Sequence, residues 1–538
     1  MLTIFLSTLF FLTIILTVRG RFDKLSTLEI NSNEIPLPPP IPVDMILEES
    51  ICRRMSVRSF TSEQVTDEEL STILWAAYGY TDDGNRSIYN PDDIYSTVIY
   101  VIRSDATYKY VPENHSLSLY KNGNYLYIGQ YDTAPIKLGL VWNKSITDDE
   151  LFGMSEIGMI CQNIYLDANA LDLGTVTTGG GVEELNQLGL PSNEKPEIIM
   201  PIGHPSPSYD FTYNPLPQSN LPSIINNTNS LKDCINNRLI CKKWDNIQLT
   251  EVEESQLIWS SYGYSYLLDD TNKRHRTLPS AVGIYPFKIY AANKDAVYFY
   301  NPSTHSISTI VEEDRREQIN NSLGSNDIWA ASATWIIIPF YNTNTNPQYI
   351  TWWYYEVGAI SHNIILEATA LNLSSNIITN ISDVNGLRSA LGISSQTNLQ
   401  PWFVIPVGHP FIENQNNPPN QPNISGPTKG NPGVEYNYIF NSMDPDDDPV
   451  YYYIQWGDGI TSGWIGPNNS GENITQSHSW SKKGTYNIRC KAKDINGAES
   501  NWSNLQITMP RKKSIINFFI LDFLKQFPLF KIFFSIDF

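Results

Sequence analysis

Positive charge is scarce in this chain of 538 residues. It has 36 lysine and arginine residues against 56 aspartate and glutamate residues, which gives a formal net charge of −20. Proteins that bind nucleic acids without sequence preference need positive side chains to replace the counterions of the phosphate backbone. The acidic composition argues against that class, and we predict no nucleic-acid partner; it suits solubility in an external medium.

Cysteine is also scarce, with five residues and neither a CxxC pair nor the spacing of a metal site. Cys234 and Cys241 are close enough in sequence to pair, but a buried thiol is the default expectation for each cysteine. His204 and His409 each stand in a Gly-His-Pro turn, apart from other ligand types, and are interpreted as turn or core residues. No metal site is therefore predicted.

Long hydrophobic runs occur only at the two ends of the sequence. Residues 1–18 are nearly all apolar and precede Arg19-Gly20-Arg21, so residues 1–20 are predicted to be a signal peptide or an N-terminal anchor. Residues 511–538 are apolar but interrupted by charges and a proline, which predicts an amphipathic segment on a membrane surface or docked on the protein rather than a spanning helix. Asn-x-Ser/Thr sequons also favour an extracellular glycoprotein, free or anchored at the cell surface; they include Asn85, Asn114, Asn143, Asn226, Asn320, Asn423, Asn468, Asn473 and Asn501.

An internal repeat organises most of the chain. "LSTILWAAYGY" recurs as "SQLIWSSYGY", with Trp75 and Trp259 184 residues apart, and "EIGMICQNIYLDANALDL" recurs as "EVGAISHNIILEATALNL" 200 residues later. Slowly growing offsets over ordered blocks indicate a duplicated domain. We predict a proline-rich lead-in over 21–45, repeat 1 over 46–210, repeat 2 over 230–412 and a small β-sandwich over 413–510.

Two helices of repeat 1 are predicted from their caps and apolar stripes. Thr66 and Glu69 form a capping-box pattern ahead of an apolar stripe through Ala77. A longer helix is expected over about 149–172, with Gly174 as its C-cap. Its Glu156, like Glu356 in repeat 2, is expected at a helix contact near the junction of the repeats, or facing a bound group.

The segment "CRRMSVRSF" carries the strongest candidate for binding. In an extended segment Arg54, Ser56 and Arg58 point to one side and offer two guanidinium groups and a hydroxyl, which suits a phosphate group.

With "ILWAAYGY", "RTLPSAVGIYP" and "ICQNIYLDANALDLGT", this segment makes both repeats resemble the nitroreductase-like flavoproteins, especially the branch of thiazole/oxazole-forming peptide dehydrogenases. "DPDDDPVYYYIQWGDG" and "HSWSKKGTYNIRCKAKD" make residues 413–510 similar to a polycystic-kidney-disease (PKD) domain. In this part of the chain Asp444, Asp446, Asp447 and Asp448 are either a candidate calcium site or, more simply, a solvated acidic turn. The resemblance implies an α+β fold in which the two repeats form an intrachain pseudo-dimer, followed by an immunoglobulin-like sandwich. It also implies FMN at the junction of the repeats and a monomeric protein.

The resemblance further implies a composite cofactor site. Its residues from repeat 1 are Arg54, Ser56, Arg58 and the glycine turn Gly179, Gly180 and Gly181, and its residues from repeat 2 are Pro279 and Ser280. The corresponding second site has "RLICK", "IITNIS" and Tyr89-Asn90-Pro91, so one FMN per chain is expected. Because flavin N5 carries the hydride in this family, no catalytic side chain is predicted.

Two functions remain open from the sequence. The first is an exported FMN-dependent oxidoreductase with an unknown small-molecule substrate. The second is a non-catalytic surface-binding or adhesion protein built on a degenerate nitroreductase scaffold. A visible absorption spectrum separates them.

Overall fold

The computed structural model describes residues 34–217, 219–324, 329–411 and 416–510. The predicted signal or anchor over 1–20, much of the lead-in and the C-terminal segment 511–538 lie outside these ranges. Within them, no helix combines the length and the apolar composition needed to cross a membrane. Contacts divide the chain into two compact units, one up to Phe411 and one from Ile412 onward.

Most helices of the first unit occur twice along the chain. The helices are α1 (Leu47–Arg53), α2 (Asp67–Tyr78), α3 (Glu150–Ala170), α4 (Leu231–Asn236), α5 (Glu251–Tyr262), α6 (Arg316–Asn320), α7 (Ile350–Ala370) and α8 (Val384–Ala390). Six of them form three pairs that repeat along the chain (α1 with α4, α2 with α5 and α3 with α7), whereas α6 and α8 occur, among the described residues, only in repeat 2.

The first sheet belongs to repeat 1 and has the order β1-β4-β3-β2-β5-β7-β6, with antiparallel neighbours. Its strands are β1 (Glu34–Pro36), β2 (Thr97–Ile102), β3 (Ala106–Val111), β4 (Ser116–Asn122), β5 (Ile136–Asn143), β6 (Gly174–Thr175) and β7 (Glu194–Gly203). Strand β1 comes from the middle of the proline-rich lead-in and is the edge strand of the sheet.

Three short strands link the repeats in the order β10-β9-β8: β8 (Phe211–Tyr213), β9 (Tyr264–Asp269) and β10 (Arg274–Arg276). Repeat 2 then forms a second antiparallel sheet in the order β13-β12-β11-β14-β17-β15, with β16 paired to β14. Its strands are β11 (Phe287–Ala292), β12 (Val297–Asn301), β13 (Ser306–Val311), β14 (Trp335–Asn342), β15 (Ser374–Ser375), β16 (Leu399–Pro401) and β17 (Ile405–Gly408).

The long helices α3 and α7 cross at two glycines and join the repeats. A Cβ atom at Gly158 would lie 2.0 Å from the carbonyl oxygen of Tyr355, and one at Gly358 would lie 2.0 Å from that of Ser155. Only glycine permits two backbones to approach so closely. One apolar core runs through both repeats, so each repeat completes the core of the other.

The helix starts follow the sequence expectation, whereas one helix end does not. Thr66 caps α2 in a capping box with Glu69, and Thr250 caps α5 in the same way. The expected C-cap at Gly174 is wrong: α3 ends at Ala170, Asp172 takes the left-handed conformation with φ 56°, and Gly174 lies in β6. Gly174 is needed for packing instead, since a Cβ atom there would meet Val57 at 2.6 Å.

The second unit is a sandwich of two antiparallel sheets, ordered β18-β19-β22 and β21-β20-β23-β24. Its strands are β18 (Asn423–Ser425), β19 (Glu435–Asn441), β20 (Val450–Gln455), β21 (Thr461–Asn468), β22 (Ile474–Ser479), β23 (Gly484–Asp494) and β24 (Ser503–Met509). The Asp444 carboxylate is buried and accepts bonds from the N–H groups of Asp446 and Asp448, so the acidic turn folds around it. No group of three metal-binding side chains occurs among the residues that the structure describes.

Candidate functional site

A cavity of about 460 Å³ lies between the two repeats and is lined by both of them. Repeat 1 contributes the loop residues Gln130 and Tyr131, the helix residues Gly158 and Cys161, the segment 176–180, Ile198 and Arg58. Repeat 2 contributes the segment 279–282 and four residues of α7: Trp352, Tyr355, Glu356 and Ala359. The volume lies within the usual range for small-molecule and cofactor sites.

The glycine turn of repeat 1 forms part of the cavity wall, and its three glycines differ in role. At Gly179 a Cβ atom would meet only Trp352, at 3.8 Å, so this position borders open space. At Gly180 a Cβ atom would lie 2.5 Å from the side-chain nitrogen of Gln130. Gly181 does not line the cavity. It has a left-handed φ of 76° and directly precedes the 3-10 turn over Val182–Leu188. Thus Gly179 and Gly180 both line the cavity, the second against Gln130, whereas Gly181 lies outside it.

The three residues of the predicted phosphate motif are spread over different environments. Arg58 lines the cavity and its Nη1 donates to the carbonyl of Ser56 at 3.1 Å. Ser56 does not line it, and its hydroxyl lies 3.2 Å from that of Tyr165. Arg54 is buried, donates from Nε to the carbonyl of Arg276 at 3.1 Å and lies over the Tyr165 ring. Its Nη1 is buried and has no hydrogen-bond partner among the described residues.

Pro279 and Ser280 both line the cavity, and Ser280 contacts a buried acid. The Ser280 hydroxyl donates to Glu356 Oε2 at 2.5 Å and accepts from the N–H of Tyr285 at 2.9 Å. The Tyr262 hydroxyl donates to Glu356 Oε1 at 2.5 Å. Burial raises the pKa of Glu356 to about 7, opposed by these two hydroxyl donors and by the positive charge of Arg276. The wall of the cavity therefore contains a carboxyl group that changes protonation near neutral pH.

The aromatic part of the wall was missed by the sequence reasoning. Trp352 and Tyr355 lie on the same face of α7 as Glu356, at helical spacing, and Tyr349 stacks on Trp352 with ring centroids 4.2 Å apart. The Tyr355 hydroxyl donates to Glu197 at 2.8 Å. The sequence signal was "TWWYYE", which repeat 1 replaces by "LFGMSE". Gln130 and Tyr131 had no comparable signal, because they lie on an irregular loop, whereas Val282 lies within the motif "RTLPSAVGIYP" but was not singled out.

At the pseudo-symmetric second position, side chains of each repeat make hydrogen bonds to the other repeat. The Tyr89 hydroxyl, from the segment that replaces Pro279-Ser280, donates to Asn376 Oδ1 at 2.9 Å. Arg238, the counterpart of Arg54, is bonded through both terminal nitrogens to the carbonyls of Arg86 and Ser87. Burial lowers the pKa of Arg238 to about 10. Here both terminal nitrogens of Arg238 donate to backbone carbonyls and its buried Nε has no partner among the described residues, whereas in Arg54 Nε is bonded and Nη1 lacks a partner.

Comparison with known proteins identifies the origin of this arrangement. The model of the nitroreductase family matches residues 51–204 and 208–409, which together are more than half of the chain. A protein of Methanocaldococcus jannaschii named as a nitroreductase is 34% identical over 179 residues, covering 29% of this chain and 90% of the relative. The crystal structure of a protein from Anabaena variabilis, also named as a nitroreductase, is 14% identical with a TM-score of 0.53, covering 64% of this chain and 88% of that one. The last likeness shows the fold.

The second unit also has a relative of known structure. The PKD domain of an M14-like peptidase from Thermoplasmatales archaeon SCGC AB-540-F20 is 57% identical, covering 18% of this chain and 99% of that domain, with a TM-score of 0.18. The expected α+β class, with an intrachain pseudo-dimer followed by a β-sandwich, is confirmed. With two tandem matches that account for both repeats, the chain belongs to the nitroreductase family and carries a PKD-like domain after its second repeat.

Proposed function

We propose that this chain is an FMN-dependent oxidoreductase that holds one flavin per chain in the cavity between its repeats. The single observation that carries the proposal is the composition of the cavity wall: Gly179 and Gly180 come from repeat 1, and Pro279 and Ser280 come from repeat 2. These are the segments that the family resemblance assigned to the cofactor, and the fold brings them to one cavity.

Charge in and beside the cavity supports an anionic cofactor. Arg58 lines the cavity, and the buried Nη1 of Arg54 lacks a partner among the described residues. A buried donor without a partner costs roughly 1–3 kcal/mol, and a ligand phosphate would remove that cost. We assign the phosphate to Arg54 and Arg58, with Ser56 as a third donor if its hydroxyl turns from Tyr165.

The other residues of the wall would bind and shield the flavin ring. When bound, FMN supplies hydride-transfer chemistry through its N5 atom. Trp352 and Tyr355 offer aromatic faces for stacking, which is worth about 0.5–1.5 kcal/mol for each pair of rings. Together with Ile198 they limit the access of water to the ring. Gly179 leaves room for a ligand to approach the backbone.

The second position should not bind flavin, because the Tyr89 hydroxyl and the terminal nitrogens of Arg238 are already hydrogen-bonded within the chain. Tyr89 donates to Asn376 there, and Arg238 is bonded to backbone carbonyls. This supports a stoichiometry of one.

Flavin content tests the proposal directly. The purified full-length chain should show absorption peaks near about 370 and 450 nm and one FMN per chain. Arg58→Ala should lose most of the flavin, whereas Lys242→Ala, the matched change in repeat 2, should retain it. Two flavins per chain would contradict the composite site. A colourless protein that takes up no added FMN would favour the alternative, a non-catalytic surface-binding protein.

We also propose that the chain works outside the cytoplasm, on the strength of its apolar first 18 residues and its sequons. The sequons at Asn85, Asn423, Asn473 and Asn501 are exposed, whereas Asn320 is buried and cannot be reached in the folded chain. Fractionation of the native cells, with removal of glycans from the recovered protein, tests this. Recovery of unglycosylated protein only from the cytosol would contradict it.

A further inference from the structure

The two long helices carry equivalent glutamates, Glu156 and Glu356, whose surroundings differ. Glu156 accepts hydrogen bonds from the N–H groups of Ser96 and Thr97 and from the Tyr78 hydroxyl, at 2.7 to 3.1 Å. It does not line the cavity. Backbone N–H groups hold a carboxylate well, so this acid is a structural anchor.

In repeat 2 the backbone donor is lost. Pro286 stands where repeat 1 has Ser96, and proline has no N–H group. The N–H of the next residue, Phe287, donates to the Tyr262 hydroxyl at 3.1 Å rather than to the acid. Glu356 is therefore held by two hydroxyl groups, those of Tyr262 and Ser280, and it borders the cavity.

The hydrogen-bond directions assign the position of a proton on this acid. Tyr262 accepts from the Phe287 N–H and has a single proton, which it donates to Glu356 Oε1. When Glu356 is protonated, the proton must therefore lie on Oε2, which faces Ser280. The Ser280 hydroxyl would then accept from the acid and from the Tyr285 N–H, and its own proton would be free to turn toward the cavity.

We propose that Glu356 is a positioning residue that controls whether the Ser280 hydroxyl donates to a ligand in the cavity. With Glu356 ionised, Ser280 donates to the carboxylate and only its lone pairs remain. With Glu356 protonated, Ser280 donates to a carbonyl or other acceptor of the bound ligand. The inference rests on the proposed flavin site and assigns that site a proton-dependent affinity.

The charged and titratable groups around Glu356 agree with a change near neutral pH. Burial raises the pKa of Glu356 to about 7, and the guanidinium group of Arg276 opposes the rise from β10. Arg276 lies over the rings of Tyr262 and Tyr285, at 4.5 and 4.4 Å. Helix α3 presents Cys161 to the same cavity, with a thiol pKa that burial raises, and Arg58 lines it from the phosphate motif. None of these groups replaces Ser280 as the hydroxyl donor to Oε2.

The direction of the pH effect follows from whether the Ser280 hydroxyl donates to Glu356 or to the ligand. A ligand that accepts from Ser280 binds best to the protonated form, so its affinity should fall as pH rises through about 7. The loss of one hydrogen bond corresponds to about a 3- to 10-fold weaker affinity.

Titration of the full-length protein with FMN, followed by quenching of flavin fluorescence from pH 5.5 to 8.5, tests the inference. The wild-type dissociation constant should rise about 3- to 10-fold between pH 6 and pH 8, relative to Glu356→Gln at each pH. The ratio cancels the titration of the FMN phosphate itself. In Glu356→Gln the amide donates to Ser280 at every pH, so the low-pH affinity should persist. Glu156→Gln is the matched control and should keep the wild-type profile.

Ser280→Ala provides a second and independent variant. It should bind FMN more weakly and without the wild-type pH dependence, which keeps the test decisive if Glu356→Gln does not fold. A wild-type pH profile in either variant would overturn the positioning role and leave the proposed function intact. Absence of FMN binding in every protein at every pH would overturn both.

Discussion

At the scale of single residues, the two repeats differ in the charge that faces a buried acid of the long helix from the other repeat. Asp167 of α3 faces the positive charge of Lys232, whereas its counterpart Glu367 of α7 faces the carboxyl of Glu48. Burial raises the pKa of Glu48, of Glu367 and of Asp167, the last to about 7. An acid with a raised pKa in the folded state stabilises the fold less as pH rises above its unfolded pKa.

Glu48→Gln should therefore stabilise the chain, and more so at high pH. The change removes one of two facing carboxylates, while the glutamine oxygen can still accept from Asn227, which donates to Glu48 at 2.6 Å. We expect the free energy of unfolding to rise by about 1–2 kcal/mol at pH 8 and by less at pH 5. Urea unfolding at the two pH values measures this. An equal gain at both values would contradict the repulsion between the two acids.

Gly179→Ala should affect the cavity and leave the fold intact. The new methyl group would meet only Trp352, at 3.8 Å, and the backbone is not in the left-handed region. We expect the unfolding free energy to change by less than about 0.5 kcal/mol, since no packed group moves. The FMN dissociation constant should increase about tenfold or more, because the methyl group takes ligand space. Unchanged affinity would place the flavin ring away from this segment.

Single residues were predictable from sequence only where a family motif or a local rule applied. Gly179, Pro279 and Ser280 came from the family pattern and all line the cavity. The environment of Glu356 was not predictable, because it depends on the missing N–H of Pro286 and on the hydroxyl of Tyr262, which lie far from the acid in sequence. The unpartnered nitrogen of Arg54 is likewise a property of tertiary packing.

At the scale of elements, the crossing of α3 and α7 decides the geometry of the cavity. Gly158 lines the cavity and also contacts the carbonyl of Tyr355, so the same close approach that joins the repeats brings Tyr355 and Glu356 to the wall. Both helices were predictable from the repeated sequence, although the C-cap expected at Gly174 was wrong. Their closeness was not, since a lone glycine in a helix gives no information about its partner.

Gly358→Ala should separate the two helices. A Cβ atom would lie 2.0 Å from the Ser155 carbonyl oxygen, so one helix must move. Alanine favours an isolated helix by about 1 kcal/mol over glycine, yet we expect a net loss of about 1–3 kcal/mol or more in unfolding free energy from overpacking. Gly158→Ala should behave alike by pseudo-symmetry. If thermal denaturation showed either variant to be more stable than the wild type, the two helices would be farther apart at the crossing than the 2.0 Å distances indicate.

At the scale of the whole molecule, duplication has made the two halves unequal. One cavity combines the glycine turn of repeat 1 with Pro279 and Ser280 of repeat 2, whereas at the opposite position Tyr89 and Arg238 are hydrogen-bonded to the other repeat. A homodimer must keep two identical sites, because one gene specifies both. A covalent pseudo-dimer is free of that constraint, so one site can be lost while its scaffold still completes the shared core.

The same reasoning separates the PKD-like unit from the proposed flavin site. Its apolar core consists of residues from Tyr438 to Met509, whereas the cores of the first unit end before Phe411. A chain that ends at Phe411 should therefore retain one FMN and the melting temperature of the first unit, within about 2 °C. Calorimetry of the full-length chain should show a second transition that this shortened chain lacks, because separate cores unfold separately. Loss of flavin on removal of residues 412–538 would mean that the second unit supports the cavity, and would contradict its independence.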